Sequence, residues 1–424
     1  MTQGVRRSMK HLLELDDAAL LELVQRQTFG YFWDFAHPVS GLARDRSGPY
    51  FRYHVDLVAT GASGFGIMAI VVAAERSWIT RIEALRRVLR MARFLRRVKR
   101  HHGVFPHFFN GRTGATIPFS DKDDGGDLVE TSYLVAGLLA ARQYFDRDTG
   151  EERELRQRID ELCQDVEWSW YTRGGSDVLF WHWSPHHGWE MNLEIRGWNE
   201  CLITYVLAAS SSAHAISADV YHRGWAGGPD FKNGKEFYGI HLPLGPDYGG
   251  PLFFAHYSFL GLDPRLLTDR YADYWEQNVN HTLINREHCI RNPQGCEGYG
   301  PACWGLTASD DYLGYHAHSP ASDMGVISPT AALSSFPYTP EHSMEALRHF
   351  CAVHGKRIWR EYGFVDAFSE TRGWYAKWHV GIDQGPIVIM IENHRSGLIW
   401  KLLMSCPEVQ SALLLLGFTA PELR

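Results

Sequence analysis

The chain has 424 residues, 45% of them hydrophobic, with a formal net charge of −7 and a pI near 6.3. That length and apolar share support a large core, and the acidic balance argues against a general nucleic-acid binder. The seven cysteines are odd in number and form no CxxC pair, and Cys289, Cys296 and Cys303 recur every seven residues, a spacing that fits neither a disulfide framework nor a common zinc pattern.

The first twenty residues hold two arginines but no apolar run ahead of Asp16 and Asp17, and no stretch reaches 18 apolar residues. No membrane span is therefore expected, and the sequence as it stands reads as cytoplasmic; removal of a leader would leave the same sequence in a periplasmic or secreted protein. Asp16–Asp17 starts a helix that runs to about Phe35, where His37–Pro38 stops it. Residues 41–56 read as loop. A second apolar helix covers about 63–78 around IMAIVVAA. Over 81–100, Ile82, Leu85, Leu89, Ala92 and Leu95 form one face, and Arg86, Arg90, Arg93, Arg97 and Arg100 an opposing stripe. No aromatic residues interleave those arginines, so an outer helix fits better than a nucleic-acid surface.

Loop follows at 101–125, then helices at 128–145 and 152–171. Residues 180–202, FWHWSPHHGWEMNLEIRGWNECL, place Trp181, Trp183, Trp189 and Trp198 among Glu190, Glu194 and Glu200. Rings stack on the C–H faces of sugars, and a carboxyl group can protonate a glycosidic oxygen; the competing reading is a wet loop whose tryptophans plug the core. A buried helix follows to about Ser210, then a short one at 217–223, a Gly/Pro-rich surface loop at 224–251, a helix at 265–285 and a loop-rich stretch at 291–330. The last helices are expected at 341–354, at 386–402 after Gly385–Pro386, and at 407–416, with Pro386 and Pro407 in first turns. About twelve helices, no linker and no strand pattern long enough for a large sheet predict an all-α ring of helix pairs, a single domain over 1–424 with long loops on one face.

The sequence contains no GxxxxGK[ST], HExxH or GxSxG motif. Ser120–Asp127 loosely follows a calcium loop, but Gly125 and Ser132 fall where ligands belong. What remains is carboxylates at loop-to-helix junctions: Asp123, Asp124, Asp127 and Glu130; Glu190, Glu194 and Glu200; and Asp383. Helix capping is the competing account, strongest for Asp127 and weakest for Glu200, where Asn199 can already cap. Trp183, Trp304, Trp374 and Tyr375 sit in loop blocks beside polar residues and are expected to include cleft-lining rings.

Several long blocks carry a resemblance: QRQTFGYFWDFAHPVSGLARDR (25–46), RGWNECLITYVLAASS (196–211), YGGPLFFAHYSFLGLDPR (248–265), CWGLTASDDYLGYHAHSP (303–320), SPTAALSSFPYTPE (328–341), FVDAFSE (364–370) and IDQGPIVIMIENHRSGLIWKLLMSCPEVQ (382–410). Together they resemble the bacterial glucoamylase-like family, which includes the endo-β-1,2-glucanases of glycoside hydrolase family 144. The resemblance implies an (α/α)6 toroid, inverting hydrolysis and linear β-1,2-glucan (sophoran) as substrate. It further implies Glu200 as general acid, Asp383 as its partner, and Asp123, Asp127 and Glu130 as cleft residues near the cleaved bond. An exo-acting sophorose-releasing enzyme, a transglycosylase, an α-glucan hydrolase and a silent glucan-binding module are the alternatives. Neither metal nor organic cofactor is expected, since carboxyl chemistry on an acetal needs none. The expected partner is the glucan alone, with no nucleic acid and no membrane, and the protein is expected to be a monomer. Trp198 and the apolar helix after Cys201 should desolvate Glu200 and raise its pKa, whereas the helix N-terminus beside Asp383 should favour its carboxylate form.

Overall fold

A computed structural model describes residues 9–48 and 54–423. Residues 49–53, inside the loop expected at 41–56, and the first eight residues lie outside them. Two kinds of helix alternate along the chain. Thr60–Glu75 is buried from Thr60 to Ala73, Leu128–Tyr144 from Leu128 to Ala141, and Leu202–Ser210 from Leu202 to Ala209. Gly381–Arg395 is nearly as enclosed. Helices that are apolar on every side must be packed on every side, and these form the inner ring. Two irregular segments complete it: the 3-10 turns at Leu252–Ala255 and Ser258–Leu260, and the short helix Pro329–Leu333.

The outer helices bury only a stripe. Gly150–Gln164 hides Glu152, Leu155, Ile159 and Leu162, while Arg81–Leu95 hides Leu85, Leu89, Ala92 and Leu95 and leaves Ile82 exposed. Asp17–Trp33, Tyr274–Arg291 and Pro340–His349 flank other inner members, and a π-helical turn at Val220–Trp225 fills the remaining outer position. The result is a two-layered (α/α)6 ring, all-α apart from short hairpins. Arginines of this stretch, in the stripe and beside it, find partners on the acidic neighbour: Arg93 meets Glu154 at 2.6 Å, Arg96 meets Asp165 at 2.8 Å and Arg100 meets Asp165 at 3.0 Å.

The N-terminal ends of the inner helices gather at one end of the ring, where the loops preceding them are stitched together by backbone hydrogen bonds. Thr60 N–H donates to His107, Leu128 N–H to Trp181, Leu252 N–H to Leu306, Ile327 N–H to Phe368 and Gly381 N–H to Asp45.

Four expectations from sequence need correction. The stretch 224–251 is not all loop: Lys232–Phe237 pairs with Ile240–Leu244 across Tyr238–Gly239, both at positive φ as a two-residue hairpin turn requires. The helix expected at 265–285 is Tyr274–Arg291, capped by Asp273, whose carboxylate accepts from Trp275 and Glu276 N–H. The helix expected at 386–402 begins at Gly381 and ends at Arg395, so Pro386 is its sixth residue rather than a first-turn proline. The tail of the 152–171 helix is a separate 3-10 turn, Trp168–Thr172.

Packing within the inner ring is tightest where Thr60–Glu75 crosses Leu128–Tyr144. A Cβ on Gly64 would fall 2.2 Å from the Tyr133 carbonyl oxygen, and one on Gly137 would fall 2.2 Å from that of Gly64. Backbone cannot yield as a flexible side chain can. Gly64→Val is therefore expected to cost at least about 1–3 kcal/mol of stability, read as a lowered melting temperature; an unchanged melt would contradict this packing.

Candidate active site

Carboxyl groups crowd the ring where the inner helices begin. Asp127 is the N-cap of Leu128–Tyr144: one oxygen accepts from Val129 and Glu130 N–H, and the other lies 2.9 Å from His107 Nδ1. Glu130, one turn on, accepts from Gly61 N–H at 2.6 Å, an approach close enough that a Cβ on Gly61 would sit 2.7 Å from the same oxygen. Burial pulls the His107 pKa down, but Glu130, Asp127 and Asp123 outweigh it and raise it to about 9. The resulting imidazolium keeps Asp127 ionised despite burial. Glu130 is pushed up to about 7 by burial and by Asp127, against the pull of His107. Asp123 faces His182 Nε2 at 3.2 Å. His107, Asp123 and Asp127 each offer one ligand atom within 4.8 Å of the others, with His107 and Asp127 already paired at 2.9 Å.

Glu200 precedes Leu202–Ser210 and is 9% exposed. Its backbone carbonyl accepts from the Ser258 hydroxyl, which fixes the turn. Burial, reinforced by Glu130 and Asp127, raises its carboxyl to about 7, with its own N–H offsetting part of the cost.

Asp383 lies in the first turn of Gly381–Arg395 and is fully enclosed. Tyr257 donates to its Oδ1 at 3.3 Å. Asp366 lies beside it, and each carboxyl acts on the other's proton affinity. Burial raises Asp383 to about 7, and burial together with the Asp383 and Asp310 charges lifts Asp366 well above the usual range. Two buried carboxyls in contact cannot both ionise, so one proton stays between them. Asp366 also accepts from Asp310 N–H at 2.7 Å, and Asp310 is gripped by Arg46 Nη1 at 2.9 and 3.1 Å and by the Trp378 indole N–H.

The Glu200 and Asp383 sides are joined by aromatic rings. Tyr133 and Tyr257 pack edge to face at 5.7 Å, each within 5.3 Å of Phe65. Burial raises both hydroxyls; Glu200 adds to this at Tyr133, and Asp383 and Glu200 add to it at Tyr257. Tyr315, on the hairpin Ala308–Asp310/Tyr315–Ala317, is 45% exposed and feels Asp383, Asp366 and Asp310. Beside Arg46, a cavity of about 230 Å³ is lined by Asp45, His54, Leu57, Phe108, Ile117 and Pro118.

Two acids on either side of an aromatic floor suit the cleavage of a sugar acetal, and known proteins point the same way. The family model described as "Putative glucoamylase" matches residues 192–407, half of the chain. The chain belongs to this glucoamylase family. A structure from Bacteroides uniformis, described as a putative glucoamylase, is 55% identical, covering 97% of this chain and 100% of that one with a TM-score of 0.94. The endo-β-1,2-glucanase from Chitinophaga pinensis, solved with sophorotriose and glucose, is 53% identical over 96% of this chain and 100% of its own, also at TM-score 0.94. An exo β-1,2-glucooligosaccharide sophorohydrolase from Parabacteroides distasonis is 46% identical over 94% of this chain, which spans 58% of that protein's length.

In this glucoamylase family member, Asp123, Asp127, Glu130 and Glu200 lie together, and Tyr257 links Glu200 to Asp383. The expectation for Asp383 is corrected in one respect: its helix N-terminus does not keep it ionised, because burial, with the Asp310 charge, dominates and raises its pKa. Trp304 is corrected outright. It is fully buried in a hydrophobic core with Cys289, Phe336 and Phe350 and presents no face to a sugar. Trp183 is half-buried and strand-paired to Gly126, its ring held by His101, His102 and Trp170. Trp374 and Tyr375 form one strand of a hairpin with Phe368–Ser369, and Tyr375 stacks on Phe368 beneath Arg357. Glu190 and Glu194 are not part of the site; they pair on the surface with Lys122 and Arg196. Asp366, Asp310, Arg46, Tyr133, Tyr257 and Tyr315 escaped the sequence reading. Asp366 lies within the FVDAFSE block, but only its contact with Asp383 marks it.

The pKa of Glu200 sets a stability signature. Its folded value, about 7, exceeds its ordinary value of 4.5, so the native state holds this proton more tightly than the unfolded chain. The associated stability is complete below pH 4.5 and is lost as pH rises through 7. Glu200→Gln, which carries no ionisable group, should therefore gain on the wild type by roughly 1–3 kcal/mol between pH 4.5 and 8. Parallel melts at the two pH values measure this, and a constant difference would show that Glu200 is not desolvated.

Proposed function

We propose that this protein hydrolyses linear β-1,2-glucan by an inverting mechanism. The carrying observation is two buried carboxyl sites joined by the Tyr133–Tyr257 rings: Glu200, raised to about 7, and Asp383, also raised to about 7, beside Asp366. Acetal hydrolysis needs a proton on the leaving oxygen and an activated water on the opposite face of the sugar. Glu200, held near neutrality, donates the proton as the bond breaks. Asp383 takes the proton from the attacking water, with the proton of the pair resting on Asp366 and Tyr257 holding one Asp383 oxygen in place. Asp127, paired with His107, accepts from Glu130 N–H, and its charge adds to burial in raising Glu200.

The substrate class is supported by the C. pinensis endo-β-1,2-glucanase and the P. distasonis sophorohydrolase, both similar over most of this chain. Endo action is the reading we favour, because the endo-acting relative is matched over its full length whereas the exo-acting one extends well beyond the match. The exo reading predicts sophorose as the sole early product; the endo reading predicts a ladder of sophorooligosaccharides.

A reducing-sugar assay on β-1,2-glucan beside soluble starch tests this proposal. The wild type should act on the first and not the second, and Glu200→Gln and Asp383→Asn should each lose roughly 10²-fold or more in rate while still folding and unfolding cooperatively. If Asp383→Asn retained full activity while Asp127→Asn lost it, the base would belong to the Asp123–Glu130 cluster.

A further inference from the structure

The hydrophobic core around Trp304 ends in a side-chain cluster to which none of the chemistry above assigns a use. Pro340–His349 does not stop at His349 but continues through a π-helical turn, Phe350–His354. In an α-helix, residues five apart point about 140° away from each other. The wider π turn instead returns residue i+5 to the face of residue i, and such turns are rare and cluster at functional sites. Here the turn brings the imidazoles of His349 and His354 to 5.4 Å between ring centres. Cys303, 2% exposed, reaches the same point from the loop that leads to Trp304. One ligand atom from each of Cys303, His349 and His354 lies within 4.8 Å of the other two. A fourth donor is present: Glu370 Oε1 stands 3.3 Å from His354 Nε2.

Two features separate this cluster from ordinary core packing. His349 Nε2 is buried without a hydrogen-bond partner, and the buried His354 Nε2 has the Glu370 carboxylate nearby but makes no hydrogen bond of good geometry, a cost that a structure normally avoids. The two imidazoles also converge on a buried thiol, that of Cys303, rather than on apolar side chains alone. The site is not catalytic in position, because Glu370 sits on the hairpin beyond Asp366 and no carboxylate of the cleft enters it.

We propose that Cys303, His349, His354 and Glu370 form a structural site for a zinc-class divalent ion. One thiolate, two imidazoles and a carboxylate are the donors such an ion takes in closed tetrahedral sites, with metal–nitrogen bonds of about 2.0–2.1 Å and metal–sulfur bonds of about 2.3 Å. Those lengths put ligand atoms roughly 3.3–3.7 Å apart, so the cluster contracts slightly on binding. Binding displaces the Cys303 thiol proton to solvent, and the charges of thiolate and carboxylate balance the dication. The ion would tie the loop at Cys303, the π turn and the Phe368–Tyr375 hairpin together, fastening the outer end of the segment that carries Asp366.

The full chain, stripped with a chelator and titrated with Co²⁺, tests this. One equivalent should produce a thiolate-to-cobalt charge-transfer band, which Zn²⁺ abolishes by displacement, and either ion should raise the melting temperature by several degrees. X-ray absorption at the cobalt edge should find one sulfur among about four first-shell atoms. Cys303→Ser and His354→Ala should weaken uptake at least tenfold, while Cys163→Ser, outside the cluster, should not. A wild type that gives no band, or a first shell without sulfur, overturns the site even if the variants misfold. So does a Cys303→Ser protein with an undiminished band.

Discussion

Everything at the mouth of this ring depends on burying carboxyl groups where six inner segments begin. An ionised carboxylate there would cost several kcal/mol unless paired. The protein meets that cost in three different ways around one cleft. Asp127 is paired with a protonated His107 and capped onto a helix. Glu200 is left with little but its own N–H and so holds its proton near neutrality. Asp383 and Asp366 are pressed together and share one proton. Three environments thus give three protonation behaviours to one functional group, which is what an acid and a base on opposite faces of a sugar require.

The inner helices make this possible because they are enclosed on all sides and their backbones can approach closely. The glycines at 61, 64 and 137 let Thr60–Glu75 lie against Leu128–Tyr144 and against the Glu130 carboxylate. The loops ahead of the helices, linked backbone to backbone, hold the carboxyls in register. The outer helices contribute stripes of Leu, Val and Ala and a lattice of arginine–carboxylate pairs, each worth little alone.

The sequence revealed the ring where physics is local. The wide apolar runs at 67–74 and 134–141 read as helices packed on two sides, and the structure places them in Thr60–Glu75 and Leu128–Tyr144, the second capped by Asp127. It misled where structure depends on distant partners. Pro386 suggested a helix start, yet the start lies at Gly381, whose N–H donates to Asp45 at 2.6 Å across more than three hundred residues. Tyr238–Gly239 lacks the usual Asn-Gly signal, so its hairpin passed as loop. Trp304 sits among polar neighbours in sequence and among core side chains in space. Asp366, Tyr257 and Tyr315 carry no local mark at all, since their roles exist only through Asp383. The Cys303–His349–His354 group was equally hidden: spacing rules assume α-helical or loop geometry, and a π turn breaks them.

The central claim is that Glu200 and the Asp383 pair act from opposite faces of the scissile bond. Proton NMR of the reaction on β-1,2-glucan, recorded before mutarotation, reads this directly from the anomer formed first. The account predicts that the new reducing ends appear as the α-anomer and drift to the equilibrium mixture. A β-anomer as the first product would contradict it, and would require one of these carboxylates to act as a nucleophile.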